Sequence, residues 1–340
     1  MSDNLPSPLA GAADARERSR PPLTHVPLTR TPLPPLDDTA APWPGASARV
    51  GDLDLHVRRT PGGEDATGTA VYVHGLGGSS TNWTDLAALL SAHAAGHAPD
   101  LPGFGFSEPA AEFTFSLSAH AEVVADYITA HCPGPVHLLG NSMGGAIAML
   151  VAARRPELVR TLTLVSPAVP DRRPDPRRLS DPRLVLASLP LVGKPVRRRL
   201  AALSPRERAE QVIRLCVADP AAFPEHRLDE LAVEHGERVS LAWAQRALAR
   251  STAEIFRTWF TRGPGSLWTV APSITVPTLV VWGMQDRVIS VRRAPRTARV
   301  MPRARLLVLP RTGHVAQMER PVTVARAVLG LWEHAEDGRW

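Results

Sequence analysis

From Ala48 onward, the spacing of apolar and polar residues divides the chain into short elements. Ala48 to Val50 and Leu53 to Arg58 read as a hairpin turned at Gly51-Asp52, because Leu53, Leu55 and Val57 keep a period of two. Thr69 to Val73 is more continuously apolar, the pattern of a strand buried on both faces of a sheet. Asn82 to His93 predicts a helix with Leu86, Leu89 and Leu90 on one face, and a short strand precedes Asp100. A second helix, capped by Ser118, carries Val123, Val124, Tyr127 and Ile128 inward and stops at Cys132-Pro133-Gly134. Pro135 to Leu139 is a strand, Gly144 to Ala153 a core helix of small and apolar residues, and Val159 to Val165 another strand. Strands and helices alternating at this spacing predict an α/β fold with a mostly parallel central sheet flanked by helices.

The pattern changes after Ser166-Pro167. From Asp171 to Trp268 there are only helical stretches broken by prolines. Ser204-Pro205-Arg206-Glu207 is a helix start with a capping box and proline at the first helical position. The apolar stripes behind it are Ala209, Val212, Ile213 and Cys216, then Leu228, Leu231 and Ala232, then Ile255, Phe256, Trp259 and Phe260. Their expected role is packing. Strands resume at Val276 to Trp282 and Arg305 to Leu309, and Ala325, Val328, Leu329 and Trp332 give a closing helix its buried face. The expected organisation is an arm at 1–45, a first core part at 46–170, an inserted helical lid at 171–270 and a second core part at 271–340. Ten prolines up to Pro44, with Leu33 and Val26 among them, mark the arm as extended or disordered, with part of it able to run along the domain surface.

Composition changes this picture little. The 340 residues are enough for a substantial core, and the formal charge is +6. Lys194 is the single lysine and acidic residues are spread throughout, so the excess does not form one basic face and no nucleic-acid partner is expected. Arg172, Arg173, Arg177, Arg178, Arg183 and Arg197 to Arg199 crowd the start of the lid, as a solvated face would. Cys132 and Cys216 read as buried free thiols. With neither a signal peptide nor an apolar run of membrane-spanning length, a cytoplasmic chain without integral membrane association is expected, its oligomeric state open. Metal clusters, phosphate-binding loops and dinucleotide fingerprints are missing from the sequence, so no cofactor is expected.

Candidate chemistry centres on Gly140-Asn141-Ser142-Met143-Gly144, a Gly-x-Ser-x-Gly turn between a strand and a helix. Such a turn holds serine at a strained tip, and flanking glycines let strand and helix approach. A serine hydroxyl needs a base held by a carboxylate. Asp286 lies on the loop after one late strand and His314 on the loop after the next.

Four motifs in this order resemble the α/β-hydrolase superfamily: His74-Gly75-Leu76-Gly77-Gly78, Asp100 to Ser107, the Ser142 elbow and Gly313-His314. The resemblance spans Ala48 to Trp332. It implies the α/β-hydrolase fold with an inserted helical lid and a triad of Ser142, His314 and Asp286. It also implies an oxyanion hole made by the backbone amides of Met143 and of Leu76 or Gly77. By the same resemblance His74 supports its loop and Asp100 holds its own turn. Serine at the elbow tip separates the chain from epoxide hydrolases and haloalkane dehalogenases, which carry aspartate there.

Gly140-Asn141-Ser142-Met143-Gly144-Gly145 is similar to the elbow of the carbon–carbon bond hydrolases that cleave ring-fission products. Those enzymes usually place tryptophan after the histidine, where this chain has Val315. The expectation is a serine hydrolase of small apolar carboxylic esters, with carbon–carbon cleavage as the alternative. A ligand-binding receptor or sensor on the same fold is a third reading.

Overall fold

The computed structural model describes residues 25–171 and 203–340. The arginine-rich segment at the start of the insertion lies outside them, as do the first half of the arm and Lys194. Eight strands form one sheet in the order β1-β2-β4-β3-β5-β6-β7-β8. They are β1 (Gly45–Val50), β2 (Leu53–Thr60), β3 (Gly68–Val73), β4 (Ala94–Pro99), β5 (Val136–Asn141), β6 (Val159–Val165), β7 (Thr278–Gly283) and β8 (Ala304–Leu309). β2 pairs antiparallel with both of its neighbours, and the pairs from β4 to β8 are parallel. This is the mixed, mostly parallel sheet of the α/β-hydrolase fold.

Helices cover both faces. On one face α2 (Leu117–His131) and α3 (Met143–Arg154) pack with Val71, Leu138, Leu162 and Val280 in the larger core. On the other, α1 (Thr84–Leu90) and α8 (Pro321–Glu336) enclose Tyr72, Leu139 and Val281. Burial of a core side chain of this size is worth about 1.5–3 kcal/mol. β5 and β7 have every residue buried, which is why β7 runs apolar without alternation after Thr278.

Several boundaries differ from the sequence pattern for local reasons. The cap of α2 is Ser116, not Ser118: Ser116 is extended and its hydroxyl accepts the Ala119 N–H at 3.0 Å. Ser118 sits inside the helix and its hydroxyl accepts from Arg154. The expected helix at Asn82 to His93 is a 3₁₀ turn, Ser80–Trp83, followed by α1, which ends at Leu90. The strand expected from Val276 begins at Thr278, after Pro277, which has no N–H for the ladder.

Between β6 and β7 the described residues contribute α4 (Pro205–Cys216), α5 (Glu225–Val239) and α6 (Ala244–Phe260). The Ser204 capping box forms as the sequence predicts. The α6 stripe only half buries. Ile255 and Trp259, one turn apart, face the core, whereas Phe256 is 52% exposed and Phe260 65%. The two phenylalanines sit one position round the helix, about 100° away from the buried pair. Cys132 and Cys216 are free, as expected, but each is only half-buried.

The described part of the arm, 25–44, runs along the domain surface. The Thr29 N–H donates to the Arg326 carbonyl of α8 at 3.0 Å, and Val26 and Leu33 pack against the same core as α8. After α7 (Ala294–Val300) and β8, the chain makes a short helical turn, Ala316–Glu319, before α8.

Candidate active site

Ser142 stands between β5 and α3 with φ +55° and ψ −116°, a conformation that costs a non-glycine residue energy. Three hydrogen bonds hold it there. Its N–H donates to the Val165 carbonyl at 3.0 Å, and its carbonyl accepts from Ala146 at 3.1 Å and Ala168 at 2.8 Å. The glycines beside it answer to sterics. A Cβ on Gly144 would stand 2.2 Å from the Val73 carbonyl oxygen, and one on Gly140 would stand 2.4 Å from that of Gly144. Strand and helix pass too closely for any side chain.

The loops leaving β7 and β8 bring Asp286 and His314 together. Asp286 Oδ2 lies 2.9 Å from His314 Nδ1, with both side chains buried. The other carboxylate oxygen, Oδ1, accepts the N–H groups of Val288 at 2.8 Å and Ile289 at 2.9 Å. A carboxylate held on both oxygens gives Nδ1 a fixed acceptor, so the proton resides on Nδ1 and Nε2 is free to accept.

The His314 loop is itself tied down. His314 N–H donates to the Cys216 carbonyl at 2.6 Å. The Glu319 carboxylate accepts the Gly313 N–H at 2.7 Å and the Ala218 N–H at 2.8 Å. Burial pushes the Glu319 carboxyl above its ordinary range, against the pull of these two amides. Burial, reinforced by the charges of Asp286 and Glu319, pushes the Cys216 thiol up to about 12, so it stays protonated and unreactive at neutral pH.

Ser142 and His314 open onto one cavity of about 340 Å³. Leu76 and Gly77 line it from the loop after β3, and Val315 and Met318 from beyond the histidine. Val212, Ile213, Leu231 and Leu248 close it from the inserted helices. Among the described residues no hydrogen bond joins the Ser142 hydroxyl to His314; the two share the cavity wall. Met143 is the first residue of α3, so its N–H has no partner within the helix and lies at the positive end of the helix dipole. Leu76 precedes Gly77, whose φ of +72° turns the loop.

His74 is fully buried with both ring nitrogens engaged. Nδ1 lies 2.7 Å from the Gly75 carbonyl, and Nε2 accepts the Leu101 N–H at 3.0 Å. Burial lowers its pKa, so it is a neutral strut between two loops. Asp100 does more than hold its own turn. It accepts Phe106 N–H at 3.0 Å, Ser80 N–H at 2.6 Å and His56 Nδ1 at 2.7 Å. Burial works to raise its pKa, but the His56 hydrogen bond and the charges nearby outweigh it and hold the carboxyl below its usual range.

Two contacts at the site carried no signal in the chain. The Asn141 side-chain amide donates to the carbonyls of both Val165 and His314 at 3.1 Å. Glu234 and Arg238, both on α5, reach the loop after β3. Their i,i+4 spacing is visible in the sequence, but what they face is not.

The described residues hold no cluster of side chains suited to a metal ion. None of their helices is long and apolar enough to cross a membrane.

Residues 70–327 match the model of the alpha/beta hydrolase family, and the chain belongs to that family. It is 32% identical over 271 residues to a dihydrolipoyllysine-residue acetyltransferase component of an acetoin cleaving system from Pseudomonas putida, covering 79% of this chain. The alignment spans only 64% of that relative's length. A 2-hydroxy-6-oxononadienedioate/2-hydroxy-6-oxononatrienedioate hydrolase 2 from Pseudomonas putida is 26% identical over 297 residues, covering 85% of this chain and 96% of the relative. Lipase 3 from a Moraxella species is 27% identical over 252 residues, covering 73% of this chain and 72% of the relative.

Proposed function

We propose that the chain is a serine hydrolase of carboxylic esters with apolar acyl groups, with residues 171–270 as its lid. The observation that carries this reading is the Asp286–His314 hydrogen bond on the cavity that Ser142 faces. His314 Nε2 takes the Ser142 proton as Oγ attacks the ester carbonyl, and Asp286 stabilises the imidazolium. The Met143 amide and that of Leu76 or Gly77 hold the oxyanion. When the tetrahedral intermediate collapses, the carbon–oxygen bond to the leaving group breaks and His314 hands its proton to the departing alcohol. Water then cleaves the acyl-enzyme by the same steps, returning the proton to Ser142. None of these steps calls for a cofactor. The aliphatic wall of Val212, Ile213, Leu231 and Leu248 suits an apolar acyl chain, and a lipase stands among the relatives.

A second reading rests on the relative named as a hydrolase of 2-hydroxy-6-oxo dienedioates, which aligns over nearly its whole length. The Asn141-Ser142-Met143-Gly144-Gly145 elbow supports it; Val315, in the place of that group's usual tryptophan, favours esters. A p-nitrophenyl ester series of rising acyl length, run on wild type and Ser142→Ala, tests the choice. Ester turnover with a chain-length optimum, lost in the variant, supports the esterase. Turnover of a vinylogous diketone acid with no ester activity overturns it in favour of carbon–carbon cleavage. Binding without turnover of either class points to a sensor.

A further inference from the structure

The loop that carries Leu76 and Gly77 is gripped from the insertion. Glu234 on α5 is buried, and its Oε2 accepts the hydroxyls of Ser79 at 2.9 Å and Thr81 at 2.8 Å. Arg238, one turn further along α5, donates from one guanidinium nitrogen to Glu234 Oε1 at 3.1 Å and to the Gly77 carbonyl at 3.1 Å. At the other end of the same helix, Arg227 pairs with Asp85 of α1 at 2.5 Å and donates to the Ala40 carbonyl at 2.8 Å. Helix α5 is thus clipped to the core at one end by the Arg227–Asp85 ion pair and at the other by the hydrogen bonds of Glu234 and Arg238.

The grip passes through peptide planes. In a trans peptide the carbonyl and the following N–H point in opposite directions, so anchoring one aims the other. Arg238 anchors the Gly77 carbonyl and thereby aims the Gly78 N–H, which donates to the Gly75 carbonyl at 3.1 Å. That carbonyl, also held by His74, shares its plane with the Leu76 N–H. Among the described residues nothing comparable anchors the Leu76 carbonyl, whose plane carries the Gly77 N–H.

We propose that Glu234 and Arg238 are positioning residues that aim the Leu76 amide, so that seating α5 on the core and setting the oxyanion donor are one event. This rests on the serine-hydrolase reading above and selects Leu76 over Gly77 as the second donor. The pair touches no reacting atom; it acts through the loop.

The test uses the full chain with Arg238→Met, Arg238→Lys and the milder Thr81→Val, which removes one hydroxyl from Glu234. Amide hydrogen exchange of the segment 74–82 is read beside steady-state kinetics on a p-nitrophenyl ester. The expected result is exchange about tenfold faster in that segment for Arg238→Met, with kcat about tenfold lower and KM within about twofold. Arg238→Lys restores most of both and Thr81→Val lies between. Unchanged exchange in a folded variant overturns the proposal, as does faster exchange with kcat intact and KM raised. If Arg238→Met does not fold, Thr81→Val decides by the same two readouts. If wild type hydrolyses no ester, the esterase reading fails separately, and exchange in 74–82 alone upholds or overturns the grip.

Discussion

The side-chain amide of Asn141 donates to the main-chain carbonyl of His314 at 3.1 Å. Its second hydrogen goes to the carbonyl of Val165, at the end of the neighbouring strand. One buried side chain therefore ties the turn before Ser142 to the loop that carries the imidazole. Replacing Asn141 with Asp sets a carboxylate against two carbonyl oxygens. We expect Asn141→Asp to lose about 1–3 kcal/mol of stability, more if the carboxylate ionises, and to lower kcat by about tenfold or more. Asn141→Ala leaves two carbonyls without that donor and should fall between it and wild type. Denaturant titration with ester kinetics checks both.

The positive φ of Ser142 separates stability from chemistry at one position. Ser142→Gly removes the strain as well as the hydroxyl, and Ser142→Ala only the hydroxyl. Both variants should lose ester turnover by about 10³-fold or more. Ser142→Gly should unfold at higher temperature than Ser142→Ala, by the equivalent of about 1 kcal/mol after the glycine's entropy is counted. Thermal melts of the two proteins side by side give the comparison.

Asp286→Asn tests the tautomer. The asparagine retains one oxygen, and if that oxygen continues to accept from Val288 and Ile289, its NH₂ group faces His314 Nδ1. Nδ1 then becomes the acceptor and the proton moves to Nε2, leaving no base toward serine. A fall in kcat of about 10⁴-fold with little change in the folded fraction is expected, measured on the best p-nitrophenyl ester.

His120 supplies the pH dependence. It is fully buried against Phe104, Phe113 and Phe115, and neither ring nitrogen has a hydrogen-bond partner among the described residues. Burial lowers its pKa from 6.5 to about 3. The folded state holds it neutral while the unfolded chain protonates near 6.5, so its contribution is present above that value and lost as the pH falls from there toward 3. His120→Leu removes this dependence. Relative to wild type it should gain about 2 kcal/mol between pH 7.5 and pH 5, read from urea titrations at the two values.

Much of this was legible in the chain because the strands are short, apolar and bounded by glycine, proline or a polar turn. The strand over Val159 to Val165 coincides with β6, and the Gly51-Asp52 turn joins β1 and β2. The loops bearing Asp286 and His314 were readable for the same reason, each following a strand that ends sharply. The geometry of Asn141, Glu234 and Arg238 was not. An asparagine that bonds two carbonyls far away in sequence looks like any other elbow residue. An i,i+4 pair of opposite charges usually means a solvated helix face. Phe256 and Phe260 mislead in the opposite direction, since aromatic residues beside a core stripe read as part of it, and only the packed helix shows which way each points.

Gly330 lies in the middle of α8, where glycine costs about 1 kcal/mol relative to alanine. A Cβ there would stand 2.1 Å from the Pro27 carbonyl oxygen, so the arm and the helix have been fitted to one another. The two positions are therefore coupled in any variant history of this chain. With the arm in place, alanine at 330 collides with its backbone; with the arm deleted, the same alanine should stabilise the helix. The match to residues 70–327 leaves both Pro27 and Gly330 outside, so a hydrolase that lost only its arm would keep, at Gly330, a notch cut for a missing strap.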